Sequence, residues 1–219
     1  MALDGMERLL KEHFPGKKVH LIRFADDFLV TADSQETALQ CKELIAEFLH
    51  ERGLELSEEK TKVVHINEGF DFLGWNFRKF KGKLLIQPSK KAIAAIIDKV
   101  RGIIKSAKTW KQEDLIKTLN PVIKGWAMYH RTVSASVTFG KLDWIVRNML
   151  KRWAKRRHNN KGKKWIANKY WHQTFSRKQV FKTSTLTLEN FSNTKIQYRK
   201  FIKLDANPFI DTDVPLLRP

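Results

Sequence analysis

At Pro88-Ser89 the spacing of apolar residues changes. Before it, apolar residues come in short β-favouring runs around one helix-like segment; after it, they recur at i, i+3, i+4 and i+7 as far as Trp153. The order predicts an α+β chain, with antiparallel strands and one or two helices followed by a helical bundle and a basic C-terminal region. Charge divides at the same place. Residues 1–88 hold 13 Lys and Arg against 15 Asp and Glu, whereas residues 89–219 hold 29 against 8. With a net charge of +19 and a pI near 10.1, the second part calls for a polyanionic partner, and nucleic acid is the natural one. Seven Trp and fourteen Phe argue against a merely disordered basic tail.

Other classes are disfavoured. Cys41 is the only cysteine, so no internal disulfide forms, and a structural zinc site would need several Cys or His ligands at close spacing. No apolar run approaches the ~20 residues that cross a bilayer, and there is no charged-then-apolar leader pattern. The expectation is a cytoplasmic protein without a membrane partner.

In the first part, Val19–Phe24 and Phe28–Ala32 read as strands around Ala25-Asp26-Asp27, a hairpin with acids at its tip. Adjacent carboxylates on a rigid turn repel one another and invite a hard cation such as Mg²⁺, although Asp also favours turns for purely local reasons. Ser34 and Glu36 precede an amphipathic helix over 37–52, with Ala38, Cys41, Ile45, Phe48 and Leu49 on one face and Gly53 closing it. Leu54–Leu56 and Lys62–Ile66 read as strands about a polar turn at Ser57–Lys60. Phe70–Phe77 pairs with Leu84–Ile86 around Lys81-Gly82.

In the second part, Ser89 caps a helix carrying Ile93, Ile96, Ile97, Val100, Ile103 and Ile104, with Lys90, Lys91, Asp98, Lys99 and Lys105 on its other, largely basic face. Leu115, Leu119, Ile123, Trp126 and Tyr129 mark a second helix, and Leu142, Ile145, Val146, Met149, Leu150 and Trp153 a third. Trp126 and Tyr129 read as core aromatics, whereas Lys124, His130 and Arg131 read as RNA contacts. The run Lys151–Lys164 contributes Arg152, Lys155, Arg156, Arg157, Lys163 and Lys164 as phosphate contacts. Trp165, Tyr170, Trp171 and Phe175 interleave with charge, which suits a small core with a basic rim or a surface that folds on nucleic acid. His158 and His172 stand in no metal-ligand pattern.

These segments carry a resemblance. Phe24-Ala25-Asp26-Asp27 between apolar strands resembles the aromatic-x-Asp-Asp motif of reverse transcriptases. Gly53–Thr61 resembles the next polymerase motif, Phe70–Trp75 the Phe-Leu-Gly primer grip, and Ala2–Glu7 the helix before the hairpin in group II intron enzymes. Leu119–His130 closely resembles the signature of the group II intron maturase-specific domain, the thumb or domain X, and Lys195–Pro208 the connector toward a DNA-binding region. The chain is thus identified as a member of the group II intron reverse transcriptase and maturase family. The resemblance implies the C-terminal part of a palm over 1–88, a maturase or thumb domain over 89–153 and a basic extension over 154–219, without a His-Asn-His endonuclease. It implies Asp26 and Asp27 as Mg²⁺ ligands, Lys60 near nucleotide phosphates, and Phe72, Leu73 and Gly74 as the primer grip. Its partners would be group II intron RNA, target DNA and an N-terminal reverse transcriptase fragment supplying the fingers and the upstream catalytic Asp. Two outcomes follow: a contribution to an RNA-directed DNA polymerase site, or a non-catalytic splicing module that binds RNA.

Overall fold

The alternation of residues 20–31 sets up the first element pair. The structure, a computed structural model, describes residues 3–173 and 179–198; Ala2, Phe175 and the 199–208 part of the expected connector lie outside them. Strands β1 (His20–Phe24) and β2 (Asp27–Thr31) pair antiparallel from His20 with Thr31 to Phe24 with Asp27. Leu21, Phe28 and Val30 share one face, and that face packs on helices α1 (Met6–His13) and α2 (Gln35–His50). Met6, Leu10, Val19, Cys41, Ile45, Phe48 and Leu49 form the core of this unit. Helix α2 begins where expected, because the Ser34 hydroxyl accepts the Thr37 amide at 3.1 Å.

Two sequence expectations fail in the next stretch. Leu54–Leu56 and Lys62–Ile66 form no strands; the segment is irregular, with the Lys60 and Thr61 amides turning back to the Ser57 carbonyl. Both runs are short and rich in charged neighbours, and most of their side chains stay exposed, so they gain little by pairing. Phe70–Phe77, expected as one strand, is a hairpin of β3 (Phe70–Phe72) and β4 (Trp75–Phe80), followed by β5 (Lys83–Pro88) in the order β3-β4-β5. Leu73 at φ 49° and Gly74 at φ 79° make the turn, and positive φ at both central residues is what a type I′ hairpin turn needs. Phe70 and Phe77 stack across it with centroids 5.4 Å apart.

The chain divides into two units, Met1–Leu85 and Ile86–Pro219. In the second, α3 (Lys90–Ser106), α4 (Gln112–His130) and α5 (Ser136–Arg157) form the bundle, with α6 (Lys163–Tyr170) packed on α5. The short ladder β6 (Trp171–His172) with β7 (Val180–Phe181) and a 3₁₀ turn at Phe191–Asn193 complete the described part. The core holds the expected Ile96, Val100, Ile104, Leu115, Leu119, Ile123, Leu142, Val146 and Leu150. Trp153 is buried too, donating its indole N–H to the Ala107 carbonyl at 2.7 Å. Trp153, Tyr170, Trp171 and Phe181 pack edge-on or stacked and build a small core with a basic rim, whereas Trp165 stays exposed beside Lys161 and Lys169.

Candidate functional site

The acidic hairpin has its turn at Ala25-Asp26, and Asp27 is already paired with Phe24 in the ladder. Ala25 sits at φ 55°, and Asp26 and Asp27 are both exposed. Arg23 on β1 is held by Asp4 at 3.0 Å, which secures the hairpin to the turn before α1. The donor pair is all oxygen, the chemistry a hard divalent cation selects. It is a partial set: among the described residues no three His, Cys, Asp or Glu stand together as a metal cluster. Lys60 is exposed on its turn and, among the described residues, is not ion-paired with Asp26 or Asp27. Phe72, Leu73 and Gly74 are half-buried in the β3–β4 turn, so the motif presents a rigid backbone corner. Gly69 before it is needed for close approach, because a Cβ there would lie 2.9 Å from the Phe77 carbonyl oxygen.

Basic side chains cover the second unit. Lys90 and Lys91 open α3, Lys163 and Lys164 open α6, and neither first turn holds an acidic residue. Cations at the positive end of a helix are unfavourable by about 0.3–1 kcal/mol each, a cost that a bound anion removes. All four are exposed, as are Lys124, Arg152, Lys155 and Arg156. Two of these expected contacts also have structural work. Lys155 donates to the Asn159 and Lys161 carbonyls at 2.8 and 3.0 Å, and Arg157 donates to the Lys108 carbonyl at 2.8 Å while lying over Trp153. Arg131 is half-buried beside Met128 and lines a cavity of about 560 Å³ with Lys124, Lys195 and Gln197.

His130 is not at the surface. It is 2% exposed, its ring 4.1 Å from that of Trp126, and burial pushes its pKa down to about 4. A neutral, enclosed imidazole offers no charge to phosphate, so the expected RNA contact is a core residue. Tyr129 corrects in the opposite sense: expected in the core, it is 50% exposed. His158 bonds the Tyr170 hydroxyl at 2.8 Å, and its pKa is lowered by desolvation and then by Lys169, Arg157 and Lys161.

Sequence reading missed the side chains that hold the C-terminal segment on the bundle. Asp143 accepts the Phe191 and Ser192 amides at 2.7 and 3.1 Å and the Ser192 hydroxyl at 2.5 Å. Asn120 donates to the Thr187 carbonyl and accepts the Glu189 amide, both at 2.9 Å. Gln112 donates to the Tyr170 and Lys182 carbonyls. For Asn120 and Asp143 the signal was a poor helix former inside an otherwise apolar or basic helical stretch; Gln112, at the start of α4 before Glu113 and Asp114, carried no such signal.

A strand-hairpin unit with paired exposed carboxylates, followed along the chain by a basic helical bundle, makes this an α+β protein with an acidic hairpin and a basic helical unit. Comparison with known proteins agrees. Residues 1–77 match the reverse transcriptase (RNA-dependent DNA polymerase) family, and residues 93–171 match the group II intron, maturase-specific domain. The maturase-like protein 1 of Euglena gracilis is 32% identical over 105 residues, 44% of this chain and 23% of that protein. The group II intron-encoded protein LtrA of Lactococcus lactis subsp. cremoris is 32% identical over 100 residues, 40% of this chain and 17% of that protein. The chain belongs to the group II intron reverse transcriptase and maturase family, and the match spans about a fifth of the length of these relatives. Among the described residues no helix is long and apolar enough to cross a membrane.

Proposed function

We propose that this chain binds group II intron RNA through the basic face of its helical unit, and that its acidic hairpin contributes part of an Mg²⁺-dependent RNA-directed DNA polymerase site. The observation that carries the first half is the folded charge bias: 29 basic against 8 acidic residues after position 88, with the bundle's Lys and Arg outward and its aliphatics inward. An A-form duplex shows phosphates and 2′-hydroxyls across a shallow groove, and a rigid basic helical face suits that display.

For the second half, Asp26 and Asp27 would hold the cation, which when bound would neutralise phosphate charge. The hairpin fixes both carboxylates on a paired turn, and the β3–β4 corner offers backbone for positioning a primer strand. Two carboxylates do not complete such a site, and among the described residues no third acidic group joins them. The chain alone therefore binds structured RNA without extending a primer.

The test is twofold. Binding of a structured intron RNA by the purified chain should weaken steeply with salt, since each neutralised phosphate releases counterions. Primer extension with Mg²⁺ and dNTPs should be absent from the chain alone; extension that Asp26→Asn abolishes would overturn the claim of incompleteness. Salt-independent or undetectable RNA binding would overturn the binding claim.

A further inference from the structure

The apolar stripe of α5 runs through Leu142, Val146, Met149, Leu150 and Trp153, and Trp144 lies off it, 68% exposed. A large indole on the solvent side of a well-packed helix forgoes about 2 kcal/mol of burial, so its use must be sought outside the core. Its surroundings on the helix are specific. A helical side chain leans toward the N-terminus over position i−4. Position i−4 here is Gly140, where an added Cβ would meet nothing within 4 Å. The indole therefore does not rest on Gly140; it borders a cavity together with Arg147, Gln179 and Val180.

The same side of α5 carries Lys141 at i−3, Arg147 at i+3, Lys151 at i+7 and Arg152 at i+8, all exposed. Arg147 is oriented by its bond to the Gln179 side chain at 2.9 Å. The neighbouring carboxylate, Asp143, is turned to the Phe191 and Ser192 amides, whose N–H groups offset its charge. Tyr129 also follows a glycine by four positions, Gly125, but its ring lies edge-on against His130 with centroids 4.9 Å apart. Trp144 is the better platform.

We propose that Trp144 is a stacking platform for an unpaired base of the bound RNA, with Lys141, Lys151 and Arg152 taking the flanking phosphates. This rests on the RNA-binding reading above and sharpens it: the preferred ligand is an RNA with an extruded nucleotide rather than a continuous duplex. An aromatic face with cations a helical turn away on either side matches the base-and-phosphate repeat of a nucleotide strand. A protein partner of the same area would instead need a broader apolar surround.

The experiment compares a blunt RNA duplex with the same duplex carrying one unpaired 2-aminopurine bulge, using the full chain, Trp144→Ala and Trp144→Phe. Expected are tighter wild-type binding of the bulged RNA and quenching of the 2-aminopurine on binding. Trp144→Ala should lose about tenfold on the bulged RNA and little on the blunt duplex. Quenching should vanish in Trp144→Ala and persist partly in Trp144→Phe, at unchanged melting temperature. Equal affinity of Trp144→Ala and wild type for the bulged RNA, or an equal loss on both RNAs, overturns the platform while leaving RNA binding standing. A change in sedimentation of Trp144→Ala, with RNA preference intact, assigns the face to a second copy of the chain and overturns it too. Failure of wild type to bind either RNA removes the RNA-binding reading itself.

Discussion

Ala25 holds a left-handed backbone, φ 55°, in the two-residue turn that presents Asp26 and Asp27. An L-residue with a Cβ gives up about 1 kcal/mol there relative to glycine. Ala25→Gly is expected to raise stability of the first unit by less than that, because glycine also loosens the unfolded chain; urea melts measure it. His130 gives a pH prediction of known sign. Its folded pKa, about 4, is below its ordinary 6.5, so the folded state prefers the neutral ring. The stability this contributes is fully present above about pH 6.5 and is lost as pH falls from there toward 4. The expected loss is on the order of 2–3 kcal/mol. His130→Phe should flatten the profile between pH 6.5 and 4 even where it lowers stability throughout, and thermal melts across that range check it. The sequence could have placed this residue, since His130 follows Ile123 by seven and Leu119 by eleven and so shares their helical stripe. For Asp26 and Asp27, in contrast, the local pattern fits a hard cation and an ordinary turn alike, and the order of the motifs along the chain is what favours the cation.

Among the elements, the helices and the acidic hairpin were legible because each rests on its own periodicity, helped by side-chain caps at Ser34 for α2 and Ser89 for α3. What could not be read was cooperation between distant segments. Leu73-Gly74 breaks an apolar run into a hairpin, and only the pairing of Phe72 with Trp75 across the turn makes that the better arrangement. The C-terminal segment is held by Asp143, Asn120 and Gln112, whose partners lie 48 to 70 positions away in sequence. Asp143 is the strongest of these, since its carboxylate takes three donors. Asp143→Ala should therefore destabilise the second unit by about 2 kcal/mol, the scale of a charged hydrogen-bond acceptor. Hydrogen exchange should show the amides of Phe191 and Ser192 losing protection first, while those in the middle of α3 keep theirs. On α5, Lys151→Ala, Arg152→Ala and Arg156→Ala together should weaken RNA binding alike for all sequences. They should also reduce the slope of log affinity against log salt by up to about 3 in magnitude, as expected of phosphate contacts.

For the molecule as a whole, the two units carry opposite electrostatic roles. Residues 1–88 are slightly acidic and hold the carboxylates a cation needs, while residues 89–219 hold the positive charge. A polyanion in solution is steered by the second part, and the exposed acids of the first part repel it. Removing the hairpin acids should then leave RNA affinity intact or raise it slightly, whereas a grip centred on the hairpin would lose affinity. Asp26→Asn with Asp27→Asn, assayed by RNA binding at fixed Mg²⁺, separates these outcomes: affinity within about twofold of wild type, or modestly tighter at low salt, is expected. The same variant bears on the cation. If the hairpin takes Mg²⁺, even weakly, wild-type stability should rise with millimolar Mg²⁺ and that of the double variant should not, because only a ligand that prefers the folded state stabilises it. RNA affinity and Mg²⁺-linked stability should therefore respond independently, one to Lys and Arg of the bundle and the other to Asp26 and Asp27.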